Sequence, residues 1–327
     1  MKKQSLDIFK NVLITGGAGF IGKYMVNRFL DLGATVYVVD NLYTGSPKNL
    51  PDNPNLHFYE GSILDKPFLE TLSNNKFDLI IHLASVVGMR LATKYQDLVY
   101  QSATTGTSNV MEVFPGVPIV LFSSSAVYGM DNKTSVREDQ FVPYEQLLKY
   151  DGGNLGYACG KWEMEQIGVR AAEAGRKVLI VRPFNVVGIG QVGTYGMVVP
   201  TFVHLALNNK PITVLDDGNQ VRSFTRIDAF IECVFRLMQY EELWTANNNI
   251  VNIGSKNGNT INDLARIVKE ETNSGSEITY SRYEEFFPNH KDVTYRVPDI
   301  TLGEKYYGKI EWPTLRDIVQ SLIPTMS

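Results

Sequence analysis

The sequence predicts an α/β fold: a Rossmann-type, doubly wound parallel sheet followed by a smaller C-terminal α/β lobe. Three observations lead to it. Short β-rich runs alternate with amphipathic runs through the first half of the 327-residue chain, a glycine-rich turn follows the first of these runs, and the pattern becomes irregular and richer in proline and glycine after Phe184. We therefore predict one domain over residues 1–184 and a second lobe over residues 185–327, with some of its strands and helices returning to the main sheet.

The predicted elements alternate in the order that βαβ units require. Strands are predicted at Asn11–Thr15, Thr35–Asp40, Leu56–Tyr59, Asp78–His82, Pro118–Phe122 and Lys177–Val181. Helices are predicted at Ala18–Leu32, Leu98–Val113 and Tyr157–Ala174 and, in the second lobe, at Val199–Leu207, Asp228–Gln239 and Ile261–Thr272. With 44% hydrophobic residues, the chain can bury a sizeable core.

The composition disfavours several classes of partner. A formal net charge of −4 argues against a nucleic-acid or anionic-membrane partner, and the lack of any run of about 18 apolar residues argues against a membrane span. The N-terminal segment, with Lys2 and Lys3, lacks the apolar run of a signal peptide. Cys159 and Cys233 lie in separate predicted helices, which disfavours a disulfide, and no His/Cys cluster has metal-ligand spacing. We expect a cytoplasmic protein without a bound metal.

The glycines after the first strand predict a dinucleotide site. Gly16, Gly19 and Gly22 are spaced G-x-x-G-x-x-G between a strand and a helix, where they permit a tight turn, close approach of a pyrophosphate and close packing of helix on strand. Asp40 ends the second strand, where a carboxylate can bind both ribose hydroxyls and would repel a 2′-phosphate. Purely structural glycines and a solvated Asp40 are the alternatives. The sequence thus favours NAD over NADP, bound by the first domain.

Tyr157 and Lys161 form the candidate catalytic pair. Four residues apart on a helix, they lie on one face, and an ammonium together with a positive nicotinamide ring would lower the pKa of the tyrosine. The serine-rich run 123–125 follows a buried strand and offers a hydroxyl to share the proton. An exposed helical pair and a serine-rich turn are the structural alternatives.

These motifs occur in the order seen in one family. The runs are TGGAGFIG (15–22), DNLYTG (40–45), HLA (82–84), FSSSAVYG (122–129), YACGK (157–161), RPFNVVG (182–188), DDGNQVRSF (216–224), VNIG (251–254) and RVPDI (296–300). Together they span nearly the whole chain, which resembles the extended short-chain dehydrogenase/reductases. Within that family it is most similar to the NAD-dependent nucleotide-sugar epimerases and dehydratases, such as UDP-galactose and UDP-glucuronate 4-epimerases. The resemblance implies a UDP-linked sugar substrate, bound largely by the second lobe.

The resemblance also implies roles for individual positions. Ser124 would supply the catalytic hydroxyl, Tyr157 would be the base and Lys161 would hold the nicotinamide ribose. Other implied cofactor contacts, beside the three motif glycines and Asp40, are Phe20, Ile21, Asn41, Ser62, Ile63, Leu83 and Ala84. Implied substrate contacts are Val87, Arg90, Ser124, Ser125, Asn185, Val199, Arg222 and Arg296.

In this family the positions of Asn185, Arg222 and Arg296 hold the phosphates of the sugar nucleotide. The two arginines fit this role because a guanidinium can bind a diphosphate in bidentate fashion. A surface pair with Asp299 is the alternative for Arg296. Arg90 ends a loop that faces the hexose in this family and could bind a C6 carboxylate, a phosphate or solvent.

The chain departs from the family pattern at four places. Ala126 stands where decarboxylases and dehydratases carry a carboxylate, which argues against elimination and decarboxylation. Ser62 replaces an aspartate that commonly meets adenine, and Ala103 replaces an asparagine. Residues 143–154 are longer than usual and form either a substrate-gating loop or a surface insertion.

The leading hypothesis is therefore a UDP-sugar 4-epimerase. A UDP-glucuronate decarboxylase, a 4,6-dehydratase and a 4-keto reductase are alternatives within the family, and a non-catalytic NAD-binding protein is a more distant one.

Two further expectations concern packing. His82, at a strand end, is predicted to be a hydrogen-bonded core histidine. The family position of two helices predicts a homodimer, with Val110, Met111, Met164 and Ile167 facing a partner; burial within the chain's own core is the alternative.

Overall fold

A parallel seven-stranded sheet organises the molecule. The computed structural model describes residues 3–130 and 132–326. The sheet has the order β11-β6-β5-β4-β1-β2-β3, and every neighbouring pair runs parallel. Its strands are β1 Asn11–Thr15, β2 Thr35–Asp40, β3 Leu56–Glu60, β4 Leu79–His82, β5 Ile119–Phe122, β6 Val178–Pro183 and β11 Ile250–Ile253. The predicted fold class is confirmed.

Helices and short strands complete the chain. The helices are α1 Phe20–Asp31, α2 Lys66–Glu70, α3 Met89–Lys94, α4 Gln96–Ala103, α5 Thr105–Val113, α6 Tyr144–Tyr150, α7 Tyr157–Glu173, α8 Val198–Leu207, α9 Ile227–Leu237, α10 Ile261–Glu271, α11 Tyr283–Phe286, α12 Thr301–Tyr307 and α13 Leu315–Met326. The remaining strands are β7 Val186–Val187, β8 Ile212–Leu215, β9 Val221–Ser223, β10 Thr225–Arg226, β12 Gly258–Thr260, β13 Ile278–Ser281 and β14 Tyr295–Arg296.

The inner strands of the main sheet are buried on both faces, whereas the edge strand β3 is partly exposed. Along β1, Val12 and Ile14 join the core beneath α1, α9 and α12, whereas Leu13 joins the core beneath α2, α5 and α7. Because alternate side chains enter opposite layers, these strands are apolar throughout, as is usual for parallel sheets covered by helices. β11 comes from the second half of the chain and completes the sheet beside β6.

A second, smaller core lies in the C-terminal part. Helices α8, α10 and α13 pack on the β8–β13 pair around Phe202, Leu264 and Ile318. Nearby, β9 pairs with β12 and with β14. The β9–β14 register sets Arg222 directly opposite Arg296, although 73 residues separate them in sequence.

One predicted helix is two helices. The run Leu98–Val113 divides at Thr104 into α4 and α5. The Thr104 hydroxyl donates to the carbonyl oxygen of Tyr100, a bond that commonly bends helices, and Gly106 packs so tightly on Ile63 that a Cβ there would overlap it.

The four residues predicted to face a dimer partner lie in the core of the chain itself. Val110, Met111 and Met164 are buried between α5, α7 and the sheet, and Ile167 packs on the same cluster. The prediction that they form a dimer surface is wrong, because the sheet already covers that face; a homodimer remains a prediction with no surface assigned.

Residues 143–154, predicted to be either a substrate-gating loop or a surface insertion, are largely helical, and neither role is tested by this. Seven of them form α6, whose Leu147 is fully buried against Ala126, Ala158 and Cys159. Within the described residues no helix is both long enough and apolar enough to cross a membrane, and no group of His, Cys, Asp or Glu is arranged to hold a metal. Cys159 and Cys233 are buried and unpaired.

Candidate active site

One large cavity of about 910 Å³ is lined by all the predicted site residues. It opens at the carboxyl ends of β1 and β4, where the chain leaves the sheet in opposite directions, a common ligand site in open α/β sheets. Its glycine end is formed by the 16–22 loop, Asp40, Asn41, Ser62, Ile63, Leu83 and Ala84. Its arginine end is formed by Arg222, Arg296, Asp292 and Tyr150. Ser124, Tyr157 and Lys161 also line it.

The glycine loop is shaped by close contacts that only glycine allows. Gly16 has φ +74°, and a Cβ there would lie 2.7 Å from the backbone nitrogen of Ala84. A Cβ on Gly22 would overlap the carbonyl oxygen of Gly16. Gly19 is the N-cap of α1, and Phe20 and Ile21 begin that helix at the cavity wall. The loop therefore presents backbone and a helix N-terminus to the cavity, which suits a pyrophosphate.

Asp40 is buried at the same end. Its carboxylate accepts hydrogen bonds from the backbone nitrogens of Ala18, at 3.0 Å, and Leu42, at 2.8 Å. Burial raises the pKa of Asp40, and these two bonds act against that rise. Each oxygen retains acceptor capacity beyond one bond, so the carboxylate can also accept from ribose hydroxyls. The residues present fit NAD.

His82 supports this end from beneath. The Thr107 hydroxyl donates to the carbonyl of Ala103, so it accepts from His82 Nε2 at 3.0 Å, and Nδ1 then accepts from the Thr15 hydroxyl at 2.8 Å. Burial, followed by the charges of Lys161 and Arg176, lowers the pKa of His82 to about 3. The prediction of a neutral, hydrogen-bonded core histidine is confirmed.

Tyr157 and Lys161 open α7. Lys161 is buried, its Nζ donates to the carbonyl of Phe122 at 2.7 Å, and it lies 5.9 Å from the centre of the Tyr157 ring. Burial lowers the pKa of Lys161 to about 7, and the charge of Glu165 opposes that effect.

Without a cofactor, the environment of Tyr157 does not favour the phenolate. Burial raises the pKa of Tyr157 to about 12; a hydrogen bond with Ser124 lowers it, and the charges of Tyr150 and Asp151 raise it. That an ammonium and a positive nicotinamide ring together lower this pKa concerns the NAD-bound state and stays a prediction. The chain's own groups thus keep Tyr157 protonated at neutral pH.

The turn that carries Ser124 is strongly fixed. Ser124 caps a short 3₁₀ turn, Ser125–Tyr128, and its Oγ accepts from the Ala126 nitrogen at 3.1 Å. Ala126 follows on the cavity wall as a buried methyl group.

A buried ion pair ties this turn to α7, and sequence reasoning missed it. Glu165 accepts two bonds from Arg182, from Nε at 2.8 Å and Nη2 at 2.7 Å, and one from the Ser123 hydroxyl. The sequence indicates Glu165 only through its spacing, because it lies one helical turn after Lys161.

The arginine end is assembled from distant segments. Arg222 donates to Asp292 at 2.6 Å. Arg296 is buried and donates to the carbonyl oxygens of Ser125 and Gly129, while its Nε has no partner within the described residues. Burial lowers the pKa of Arg296 to about 10. A surface pair with Asp299 is excluded, and the guanidinium instead braces the turn that carries Ser124.

The remaining predicted substrate residues also border the cavity. Asn185 has φ +32° and donates to the Ser223 carbonyl at 2.7 Å, while Val87, Val199 and Ser125 lie on the wall. Arg90 is exposed, and its Nη1 reaches the carbonyl of Thr194 at 3.3 Å. No carboxylate pairs with it among the described residues.

Residues 150 and 151 are two further site residues that the sequence did not indicate. Tyr150 lines the cavity. The Asp151 carboxylate accepts from the backbone nitrogens of Ala158 and Cys159, at 3.0 and 2.9 Å, and so caps α7.

Comparisons with known proteins agree with this geometry. Residues 12–254 match the model of the NAD dependent epimerase/dehydratase family. The chain is 31% identical to UDP-N-acetyl-α-D-glucosaminuronate decarboxylase of Bacillus cytotoxicus, over 95% of this chain and 97% of that protein. It is 30% identical to a putative UDP-glucose 4-epimerase of Methanocaldococcus jannaschii, over 83% and 85% of the two chains.

Other matches extend the same pattern. The crystal structure of UDP-glucose 4-epimerase of Thermotoga maritima with UDP-glucose superposes with a TM-score of 0.80 at 25% identity, covering 96% of this chain and 98% of the other. The chain spans only 64% of the length of the matching UDP-glucuronic acid decarboxylases of Arabidopsis thaliana.

Proposed function

Because the chain belongs to the NAD-dependent epimerase/dehydratase family, we propose that it is a UDP-sugar 4-epimerase, which oxidises C4 of the sugar to a transient ketone and reduces it again on the opposite face. NAD is the cofactor of this family. The observation that carries the proposal is that Ser124, Tyr157 and Lys161 share one cavity with the glycine loop and Asp40, while the neighbouring residue 126 is alanine.

The chain's residues supply proton transfer. Tyr157 takes the proton of the C4 hydroxyl and later returns it to the C4 oxygen, while Ser124 stabilises the oxygen during the transfer. NAD, which the glycine loop and Asp40 would hold, would supply hydride transfer at C4, and its positive ring would favour ionised Tyr157. Lys161, held by the Phe122 carbonyl, adds a second positive charge in its protonated form. Protons and electrons balance over the cycle, so no reductant is consumed.

Ala126 supports epimerisation over the other reactions of the family. Elimination or decarboxylation assisted from this position needs a carboxyl group that can exchange a proton. The methyl group of Ala126 cannot do so, and Leu147 of α6 packs behind it.

The arginine end supports a nucleoside-diphosphate substrate. Arg296 is buried with no carboxylate partner among the described residues, and Arg222 is half-buried beside it. Two guanidinium groups side by side suit the charge and planar geometry of a diphosphate.

A second candidate is a UDP-uronate decarboxylase. It is favoured by the 31% identity to a UDP-N-acetyl-α-D-glucosaminuronate decarboxylase along almost the whole of both chains. Arg90, on the cavity wall without a carboxylate partner among the described residues, could hold a C6 carboxylate in a decarboxylase or in a uronate 4-epimerase.

Product analysis tests both candidates. The purified protein is incubated with UDP-glucose, UDP-N-acetylglucosamine and UDP-glucuronate, and the products are identified by NMR. The expected product is the C4 epimer with no net change in NADH. A UDP-pentose with release of carbon dioxide would overturn the epimerase in favour of the second candidate. Net consumption of NADH would indicate a reductase, and NAD binding without any product would indicate a non-catalytic protein.

The same panel tests the role of Arg90. Arg90→Ala is expected to lower turnover of UDP-glucuronate far more than that of UDP-glucose. If the wild-type protein ignores uronates, the carboxylate role is excluded, while the epimerase proposal stands.

A further inference from the structure

Tyr150 is a cavity residue that no motif explains. It is the last residue of α6 and lies on the wall of the cavity shared by Ser124 and Tyr157. Its side chain is half-buried, and its hydroxyl has no hydrogen-bond partner within the part of the chain that the structure describes. A phenol in such a place is available to a ligand.

The support beneath Tyr150 is rigid on both sides. Before it, Leu147 is fully buried against the catalytic helix and the serine turn. After it, Asp151 caps α7 through its carboxylate, and its carbonyl oxygen accepts from the Gln96 side chain at 2.7 Å. Side chains held in this way keep their geometry when a ligand binds, which is what a positioning contact requires.

The neighbours of Tyr150 indicate which part of a ligand it would meet. The guanidinium of Arg296 lies 5.7 Å from the centre of its ring, a cation–π contact. Tyr150 is also near enough to Tyr157 to affect its titration. In a nucleotide sugar, the part between the diphosphate and the reacting C4 is the hexose ring. Tyr150 stands between the groups that would hold those two parts.

Tyr150 is also suited to a neutral partner. Burial raises its pKa, and the charges of Arg296 and Arg222 only partly oppose this, so the phenol stays uncharged at physiological pH. A neutral phenol both donates and accepts one hydrogen bond, as a sugar hydroxyl does.

We propose that Tyr150 is a sugar-binding residue of this site, whose hydroxyl bonds a hydroxyl group of the hexose and helps to turn C4 towards Tyr157. This inference rests on the proposed function in requiring a nucleotide-sugar substrate. It assigns to α6, an element outside every family motif of the sequence, a direct part in sugar recognition.

The test compares two tyrosines of the same helix. Tyr150→Phe removes only the free hydroxyl. Tyr144→Phe is the matched control, because Tyr144 lies outside the cavity and its hydroxyl donates to Glu163 at 3.1 Å. Each variant, saturated with NAD, is titrated calorimetrically with UDP, UDP-glucose and UDP-glucuronate, and thermal unfolding confirms that both are folded.

The expected pattern separates sugar from diphosphate. Tyr150→Phe should weaken binding of the UDP-sugar about 3- to 10-fold, the usual worth of one neutral hydrogen bond, and leave binding of UDP unchanged. Tyr144→Phe should change neither. Equal weakening of UDP and UDP-sugar would overturn the proposal, because the contact would then be to the diphosphate through Arg296. Unchanged binding of both would overturn it in favour of a packing role.

Kinetics provide an independent readout. Because Tyr150 is proposed to turn C4 towards Tyr157, Tyr150→Phe should lower kcat in addition to raising KM, and a rise in KM alone would overturn the orienting role. A wild-type protein that binds a UDP-sugar without forming product would overturn the proposed epimerase but leave the Tyr150 contact measurable by titration. A wild-type protein that binds no UDP-sugar would overturn both.

Discussion

The glycine end and the arginine end of one cavity are built by different means. At the glycine end, neighbouring strands present mainly backbone atoms and one carboxylate, and its motif residues, the 16–22 loop and Asp40, lie between β1 and α1 and at the end of β2. At the arginine end, Tyr150, Arg222, Asp292 and Arg296 come from separate segments and meet through strand register and side-chain bonds. A ligand site made by local backbone depends on few positions, whereas one made by distant side chains depends on the packing of the whole molecule.

Tyr157 lies where the two ends meet, and its loss should have the largest effect. Tyr157→Phe keeps the ring and removes the proton acceptor, so turnover should fall about 10²–10⁴-fold, the usual contribution of general acid–base catalysis. Titrations with NAD and with UDP should show unchanged affinities. Tyr100→Phe is the control, because the Tyr100 hydroxyl donates to Glu163. Retention of most activity would mean that another group takes the proton.

Asp40 tests the glycine end alone. Asp40→Ala removes charge-assisted hydrogen bonds, each worth more than a neutral one, so we expect NAD to bind about 10- to 100-fold more weakly and the preference over NADP to shrink. UDP affinity should not change. Asp31→Asn, at the exposed end of α1, serves as the control in the same titrations. Equal affinity of the wild-type protein for NAD and NADP would contradict the role of Asp40.

Arg222 tests the arginine end alone. Arg222→Ala should weaken the binding of UDP and of the UDP-sugar to the same degree, about 10- to 100-fold, because a charged hydrogen-bond donor to the diphosphate is lost. NAD affinity should remain as it is, and Arg266→Ala on the exposed face of α10 should alter neither. A variant with reduced affinity for both NAD and UDP would mean that the two ends do not bind their ligands independently.

His82, at the glycine end, is expected to make the folded protein less stable at acid pH. Its pKa is about 3 in the folded chain and about 6.5 when unfolded, so between these values the unfolded chain binds the extra proton. Stability therefore falls as pH drops from about 6.5 towards 3, with a contribution of up to about 1.4 kcal/mol per pH unit. Urea unfolding at pH 7 and pH 5 measures the slope.

A paired variant isolates this contribution. His82→Gln should reduce the slope, although it also lowers stability at pH 7, while His57→Gln at an exposed position should leave the slope unchanged. An identical slope in wild type and His82→Gln would assign the loss of stability at acid pH to other groups.

The sequence predicted what local patterns determine. The alternating apolar strands predicted the sheet, and the spacing of Gly16, Gly19 and Gly22 with Asp40 predicted the glycine end, because each of these features acts through its own neighbours in the chain. His82 was predictable in the same way, from its place at the end of a buried strand.

What the sequence left out depends on partners far away along the chain. Arg296 was named correctly as a cavity residue, yet its bonds to the serine turn required the β9–β14 register. The helix α6 was read as a loop or insertion, because its only fully buried apolar residue, Leu147, gives a weak periodic signal. The prediction of a dimer surface was wrong because the sequence pattern of an apolar helical face is the same whether a sheet or a second subunit covers it.

The bonds from Arg296 to the serine turn also bear on how the molecule matures. They join residues 171 and 167 positions apart, and closing such long loops costs more chain entropy than closing local ones. A growing polypeptide contains the glycine loop, Ser124 and α7 well before β14 has been synthesised. Such an incomplete chain lacks the bonds that Arg296 makes to the serine turn. We therefore expect activity only once β14 has docked, and none from a product truncated before it.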